Sequence, residues 1–384
     1  MLKKYILGLV FILFIVPSIY SSDKNIWKEN NLQLEARLHY GFLLSHHLEL
    51  ERFNSHFPAF EISFQKATYG KYRWEKEYDY PLVGVSLWVS DMGGFEEIGN
   101  AYAIFPFINF PLFRQKIGTL NFRTGLGLGY LGNVFNNKTN YKNFAIGSHF
   151  NITANLQLEY RFIISKRLTL SSGITLTHFS NGSLKTPNYG LNIFTGNISL
   201  TYFLSQSKRY GGRMLLPELF PYEFDGRRYL EFNVSFAISN KDMTQSVGER
   251  FMVYALNANL MKRVSYKSKF GIGIDLTSDL SDKYYMELNP DPENPASTYS
   301  YIKPGVNVAY ELVISRMSVL ANVGLYLGGR VRKRGDAYQR FTIKYLLREN
   351  LFGHITLSTH AGAADYVGIG LGYHLNFIYR RKIK

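Results

Sequence analysis

Hydrophobic and polar residues alternate with a period of two along most of the chain after residue 30. In residues 32–42, Leu34 and Leu38 lie on one face with other apolar residues, whereas Arg37 lies on the opposite face. Residues 120–130 repeat the pattern. A period of two indicates β-strands, because successive side chains of a strand point to opposite faces. The pattern therefore predicts an all-β protein.

The alternating segments number about sixteen, with eight on each side of a proline-containing break at 205–227. Short turns that contain Lys or Arg alternate with longer polar loops, as in antiparallel barrels. The predicted strands cover 31–45, 57–69, 81–91, 100–113, 118–131, 145–163, 167–180, 189–204, 228–239, 250–264, 269–279, 300–314, 317–329, 338–348, 350–360 and 365–379. The predicted domains are a signal peptide over 1–22, a first eight-strand unit over 23–205, a linker over 206–227 and a second unit over 228–384.

The residues on the two faces favour a membrane barrel over a soluble sandwich. The polar faces contain Asn, Gly, Gln, Glu and Arg, whereas the apolar faces contain many of the aromatic residues, which make up 16% of the chain. Lipid accepts only helices and closed barrels, because every backbone polar group must be paired. We predict a transmembrane antiparallel β-barrel of about sixteen strands. A single barrel is favoured, and two eight-strand barrels in tandem are the alternative.

The N-terminal residues and the overall charge indicate where the protein acts. Residues 1–22 combine Lys3 and Lys4, an apolar stretch, and the small residues Ser21 and Ser22, as a secretory signal does. An uncleaved anchor is the alternative interpretation. The formal net charge is +15. Because the chain is exported, we expect an anionic membrane lipid rather than nucleic acid as its partner, and a bacterial outer-membrane location.

Three motifs are set aside, and with them any cofactor or metal. Gly127–Gly132 matches the dinucleotide-binding fingerprint, but it lies within a strand and no helix follows. His46 and His47 are adjacent, so strand geometry points their rings apart, and residues 289–293 lack the spacing of calcium ligands. We interpret His46 and His47 as solvated loop residues. The glycines of the first motif relieve crowding inside the barrel. No cofactor and no metal are expected.

The strongest candidate site lies at the end of the seventh predicted strand. Strand parity places His178 and Ser180 on the lipid face, and a symmetric hairpin pairs 178 with 192 and 180 with 190. An imidazole at this spacing can reach the hydroxyl, and the Asn192 amide can hold the other imidazole nitrogen. Polar groups at the edge of the membrane are costly unless they have a use. The alternative is a polar strand end that rises into the headgroup region.

The sequence His178-Phe179-Ser180-Asn181, followed by Pro187-Asn188-Tyr189-Gly190, resembles the lipid A 3-O-deacylase family over about residues 31–205. The resemblance implies an eight-strand outer-membrane barrel that hydrolyses the ester-linked acyl chain at position 3 of lipid A. It implies that lipid A, or lipopolysaccharide, is the substrate. By the same resemblance Ser180 is the nucleophile and His178 the general base. Asn181 would contribute to the oxyanion hole, and the loop-shaping residues would be Gly182, Pro187, Asn188 and Gly190.

The sequence departs from the family at one catalytic position, where Asn192 replaces a glutamate. An asparagine can orient the imidazole, but it cannot stabilise imidazolium with a full charge. Glu159 cannot take its place, because strand parity sends it into the barrel. A serine esterase, a weaker or inactive relative that serves as a scaffold, and a passive pore are therefore the functions considered. In the second half, Thr359 and Ala361 occupy the positions of the dyad, so we expect that half to be inert.

Overall fold

The computed structural model describes residues 32–379, except 69, 166, 205–208, 211–212, 215–227, 244–248, 294, 296 and 332–334. Within these residues the chain forms two closed antiparallel barrels of eight strands each. The predicted signal peptide, 1–22, and most of the predicted linker, 206–227, lie outside the described residues. The first barrel comprises β1 Leu32–Leu43, β2 His56–Ala67, β3 Leu82–Ser90, β4 Ala101–Arg114, β5 Gly118–Leu131, β6 Phe150–Ile163, β7 Leu168–Ser180 and β8 Leu191–Phe203.

The second barrel follows a short pair of two-residue strands, β9 Arg209–Tyr210 and β10 Arg213–Met214. Its strands are β11 Arg228–Asp242, β12 Arg250–Arg263, β13 Ser268–Asp279, β14 Ile302–Ile314, β15 Met317–Tyr326, β16 Ala337–Leu346, β17 Leu351–His360 and β18 Ala363–Tyr379. The described helices are α1 Arg73–Glu77, α2 Leu280–Leu288 and the 3-10 helices Leu48–Phe53, Met92–Gly94 and Thr298–Tyr301. In the described part of the chain, no helix is long and apolar enough to cross a membrane.

Each barrel closes by pairing its first strand with its last. Strand β1 pairs with β8 from Gln33↔Phe203 to Leu43↔Ile193, and β11 pairs with β18 in the same antiparallel manner. The prediction of an all-β barrel protein with about sixteen strands is confirmed. The single sixteen-stranded barrel is wrong, and the structure has the alternative of two barrels. In the described residues, the first and last strands of each half pair with each other. Neither half therefore has an unpaired edge strand through which the two halves could form one sheet.

The burial pattern of the strands is inverted relative to a soluble protein. Leu38 is 61% exposed, whereas its neighbour Arg37 is 1% exposed. In β13, Ile272 and Ile274 are exposed, while Asp275 is buried. Apolar side chains therefore cover the outside of both barrels and polar side chains occupy much of the inside, as in barrels that are surrounded by lipid.

Charged side chains occupy the interior of the first barrel. Arg37 contacts Glu35 and lies 2.6 Å from Glu159, and Arg161 lies 3.1 Å from Glu35. Arg123 contacts Glu61 in the same manner. An eight-stranded barrel is just wide enough for side chains to fill it. These ion pairs therefore form a polar core that joins strands on different sides of the barrel.

The second barrel has a comparable polar interior built from different residues. Lys269 lies 2.7 Å from Glu231, Lys344 lies 2.9 Å from Glu311, and Arg340 contacts Asp275. These groups are buried, and each charge has a partner of opposite sign. Pairing of this kind is needed because an isolated buried charge costs several kcal/mol or more.

The glycines of Gly127–Gly132 serve packing within strand β5. A Cβ atom added to Gly127 would lie 2.1 Å from the Ile104 carbonyl oxygen, and one added to Gly129 would lie 2.5 Å from the Phe179 ring. Both positions face the crowded interior. These contacts give the glycines a packing role within the strand.

Candidate active site

The candidate site is built on the hairpin of β7 and β8, at the end of the first barrel that has the longer loops. His178 and Ser180 are partly buried and lie on the outward face of β7, while Phe179 between them is fully buried inside. His178 pairs directly with Asn192 on β8. Residues opposite each other on an antiparallel pair present their side chains on the same face. Strand pairing therefore brings the imidazole and the amide together.

The His178 imidazole is held by a short hydrogen bond. Its Nδ1 lies 2.6 Å from the Asn192 Oδ1 atom. An amide oxygen only accepts hydrogen bonds, so the Nδ1 atom of a neutral His178 carries the proton. The remaining nitrogen, Nε2, is then left with a lone pair and can accept a proton from a hydroxyl.

Ser180 is bound to the loop that joins β7 to β8. The Asn188 Nδ2 atom donates to Ser180 Oγ at 2.9 Å, and the Asn181 backbone N–H donates to Asn188 Oδ1 at 3.0 Å. Asn188 therefore connects the candidate nucleophile to the residue that follows it. Pro187, which precedes Asn188, is buried and fixes the start of this segment.

Asn181 is more deeply buried than Ser180 and points away from the outward face. It is 3% exposed, and its Nδ2 atom donates to Ser148 Oγ at 2.8 Å. Its backbone N–H donates to Asn188 Oδ1, so the backbone and side-chain nitrogens of Asn181 both already have acceptors. The amide that reaches Ser180 Oγ belongs to Asn188, which the resemblance assigned only to loop shaping.

Two glycines give the loop its shape, because both have left-handed backbone conformations. Gly182 has φ +62° and Gly190 has φ +82°. A Cβ atom on Gly190 would also lie 2.8 Å from His178 Cε1. The predicted register is confirmed at His178↔Asn192, and the β7–β8 ladder ends at Phe179↔Leu191, one pair before Ser180 and Gly190. The left-handed turn at Gly190 takes the backbone out of the ladder at that point.

His46 joins the site from the loop after β1, although the sequence predicts a solvated loop residue. Its ring centroid lies 4.7 Å from that of His47, so the prediction that the two rings point apart is wrong. The His46 Nδ1 atom lies 3.1 Å from Asn192 Nδ2, and its Nε2 lies 2.9 Å from the Tyr189 carbonyl oxygen. Barrel closure explains this contact, because the Leu44 N–H donates to the Asn192 carbonyl at 2.7 Å. No local sequence signal could reveal a contact between residues 146 positions apart.

The long loop between β5 and β6 supports the same end of the site. The Gly190 N–H donates to the Ala145 carbonyl at 2.9 Å, and the Tyr189 N–H donates to the Phe144 carbonyl at 3.3 Å. Burial, with a smaller contribution from the Glu49 carboxylate, raises the pKa of the Tyr189 phenol. The phenol is therefore protonated at neutral pH.

Glu159 lies inside the barrel, as strand parity predicts, and binds Arg37. It is 1% exposed and faces away from His178. Among the described residues, no group of three or more His, Asp or Glu residues could hold a metal ion.

Family comparison agrees with this geometry. Residues 59–201 match the model of the lipid A 3-O-deacylase family, and the matched range contains His178, Ser180 and Asn192. The first barrel is thus similar to the lipid A 3-O-deacylase family over this range. Residues 230–377 match a second model, the C-terminal domain of acyloxyacyl hydrolase. The deacylase resemblance over the first half is thus confirmed, and the second half has a family match of its own.

Comparison with solved structures adds little to the family assignment. An outer membrane channel from Pseudomonas putida F1 is 9% identical, with 93% of this chain and 100% of that chain covered, at a TM-score of 0.19. A triple mutant of the Rhodopseudomonas blastica porin is 9% identical, with 90% and 99% covered, at a TM-score of 0.17. Such scores carry no argument about function. No curated protein sequence matches the chain. The barrel architecture and the deacylase family support an outer-membrane location.

Proposed function

We propose that the first barrel is a serine esterase that removes the ester-linked acyl chain at position 3 of lipid A. The observation that carries the proposal is the hydrogen bond from His178 Nδ1 to Asn192 Oδ1, at 2.6 Å. This bond leaves His178 Nε2 as a proton acceptor, and His178 lies on the same outward face of β7 as Ser180. The deacylase family of this barrel gives the substrate class.

The proposed reaction follows the general chemistry of serine esterases. Ser180 Oγ attacks the ester carbonyl while His178 Nε2 takes its proton. The tetrahedral intermediate then collapses, the bond to the sugar oxygen breaks, and the imidazolium returns the proton to that leaving hydroxyl. Water, deprotonated by His178, attacks the acyl-enzyme and releases the fatty acid. Asn192 orients the imidazole throughout.

Asn188 is the amide best placed to stabilise the oxyanion. Its Nδ2 atom already contacts Ser180 Oγ at 2.9 Å. When Oγ bonds to the carbonyl carbon, the negative oxygen forms close to this N–H. Preorganised donors of this kind commonly contribute about 100-fold or more to the rate. Asn181 acts through the loop, because its backbone N–H holds the Asn188 amide.

The surroundings of the site suit an amphipathic substrate. The outward face below the site is apolar and includes Leu156, Phe194 and Ile198, which are all exposed. Acyl chains of lipid A in the outer leaflet would lie along this face, with the ester at the level of Ser180. The formal charge of +15 favours a phosphorylated lipid. Residues 1–22 would direct export as a signal peptide.

A passive pore is a weaker proposal for the first barrel. Arg37 and Arg123 are both 1% exposed, and they pair with carboxylates across the interior. These side chains occupy the space that a channel would need.

The second barrel is proposed to be non-catalytic. At the corresponding strand end, Thr359 is buried and bonds Gln339 Oε1 at 3.2 Å, and Ala361 lies in the following turn. Thr359 cannot serve as a base at the position of His178, and Ala361 cannot serve as a nucleophile at the position of Ser180.

The deciding experiment is mass spectrometry of purified lipid A after incubation with the full protein in detergent. The wild type should release one ester-linked fatty acid, and the lipid should lose the corresponding mass. Ser180→Ala should be inactive while keeping its barrel fold. Ser172→Ala is the matched control, because Ser172 also lies on the outward face of β7 but far from Asn192. Equal release by Ser180→Ala would exclude the proposed mechanism.

A further inference from the structure

We propose that His46 is a positioning residue, which fixes the orientation of the Asn192 amide and, through it, the tautomer of His178. The proposal rests on the proposed function, in which His178 acts as the base. It concerns a residue outside the dyad, on a loop that joins the site only because β1 closes against β8.

The chain of hydrogen bonds begins at a group with fixed polarity. The Tyr189 carbonyl oxygen can only accept, so His46 Nε2, 2.9 Å away, must donate to it. A neutral imidazole carries one ring proton. The other nitrogen of His46, Nδ1, is therefore an acceptor.

That acceptor selects the orientation of Asn192. His46 Nδ1 lies 3.1 Å from Asn192 Nδ2, which can only donate. With its nitrogen turned to His46, the amide turns its oxygen to His178 Nδ1, at 2.6 Å. The His178 proton then resides on Nδ1, and Nε2 is left as an acceptor. The donor and acceptor in each of these hydrogen bonds are therefore determined by the hydrogen bond before it.

The need for such a residue follows from the replacement of glutamate by Asn192. A carboxylate has two equivalent acceptor oxygens, so either one can receive the His178 N–H. An amide has nearly the same shape after a half-turn, but it then presents a donor. A half-turn at Asn192 would place the His178 proton on Nε2 and abolish its function as a base. His46 therefore determines which end of the Asn192 amide faces His178. A glutamate at this position would not need such a neighbour.

The neighbouring histidine provides a matched control. His47 is exposed like His46 and stacks on the Tyr189 ring at 4.2 Å between centroids. In the described hydrogen-bond chain, the Asn192 Nδ2 atom and the Tyr189 carbonyl contact His46 rather than His47. Loss of the His47 ring tests general disturbance of the loop without changing the polarity of Asn192.

The first test measures the tautomer itself, independently of catalysis. The protein would be labelled with 15N-histidine in detergent micelles, and the His178 resonances assigned by their loss in His178→Gln. Wild type and His47→Ala should show His178 with the proton on Nδ1. His46→Ala should show a mixture of both tautomers. An unchanged His178 tautomer in folded His46→Ala would overturn the proposal.

The second test uses hydrolysis of purified lipid A by the full protein. His46→Ala should lower kcat roughly tenfold with little change in KM, because most of the His178 population then carries the wrong tautomer. His46→Gln should recover most of the rate, since its amide can donate to the Tyr189 carbonyl and accept from Asn192. His47→Ala should stay within about threefold of the wild type, as removal of a surface ring usually does.

Combining His46→Ala with Asn192→Glu distinguishes a positioning role of His46 from a merely structural one. In an Asn192→Glu background, His46→Ala should cost less than about threefold, a clear departure from additivity. An equal loss in both backgrounds would overturn the positioning role. If neither the wild type nor Asn192→Glu hydrolyses lipid A, the esterase proposal fails. The 15N chemical shifts of His178 in the first test still decide whether His46 positions Asn192.

Discussion

At the scale of single residues, the site depends on which groups donate and which accept. Asn192 uses both ends of its amide, Oδ1 towards His178 and Nδ2 towards His46. A glutamate at this position would accept from the His178 ring and add a negative charge. The exchange of glutamate for asparagine keeps the orientation of His178 and gives up the electrostatic stabilisation of imidazolium.

Asn192→Glu should therefore raise the rate of ester cleavage, by about tenfold if the carboxylate contributes about 1.4 kcal/mol to the transition state. Asn192→Ala should lower the rate, but less than Ser180→Ala or His178→Ala, because it removes only the orientation of the ring. The measurement is release of fatty acid from lipid A by mass spectrometry. Faster cleavage by Asn192→Ala than by wild type would contradict the orienting role.

At the scale of the element, the β7–β8 hairpin places the three candidate groups. Alternation along β7 turns His178 and Ser180 outward, and direct pairing puts Asn192 opposite His178. The loop then bends back at Gly190, where the ladder stops. The strand thus supplies rigid positions, and the loop supplies the Asn188 amide.

Gly190→Ala should abolish most of the activity while the barrel remains folded. Alanine is strained at φ +82°, and its methyl group would lie 2.8 Å from His178 Cε1, so the ring must move. Gly196→Ala on β8 is the control, because the nearest atom outside its neighbours lies 4.0 Å from the added Cβ. Heat-modifiable gel mobility would report the fold, and lipid A cleavage the activity. Full activity of Gly190→Ala would argue against the observed position of His178.

At the scale of the whole molecule, both barrels follow the same principle with different residues. Each has an apolar exterior and an interior of paired charges. In the first barrel, Glu159 on β6 and Arg37 on β1 connect strands from different parts of the sheet. Such pairs connect strands from inside the barrel, beside a buried apolar cluster that includes Trp88, Phe105 and Phe179.

Glu159→Ala should destabilise the first barrel by about 3 to 5 kcal/mol, because it leaves buried Arg37 and Arg161 without one of their carboxylates. Gln157→Ala is the control. It removes a neutral amide that donates to the Glu159 carboxylate at 2.7 Å, and should cost about 2 kcal/mol. Urea unfolding followed by tryptophan fluorescence reports this barrel, since all three Trp residues precede residue 205. Equal midpoints for both variants would contradict the role of the ion pairs.

The sequence alone was sufficient to predict the strands, their two faces and the outward placement of His178, Ser180 and Asn192. These features depend on alternation within a strand and on pairing across a short hairpin, which are local properties. It could not decide between one barrel and two, because the same alternation suits either closure. It also could not bring His46 to Asn192 or show that Asn188 reaches Ser180. Those contacts depend on the pairing of β1 with β8 and on the loop geometry after β7, which only the closed tertiary structure determines.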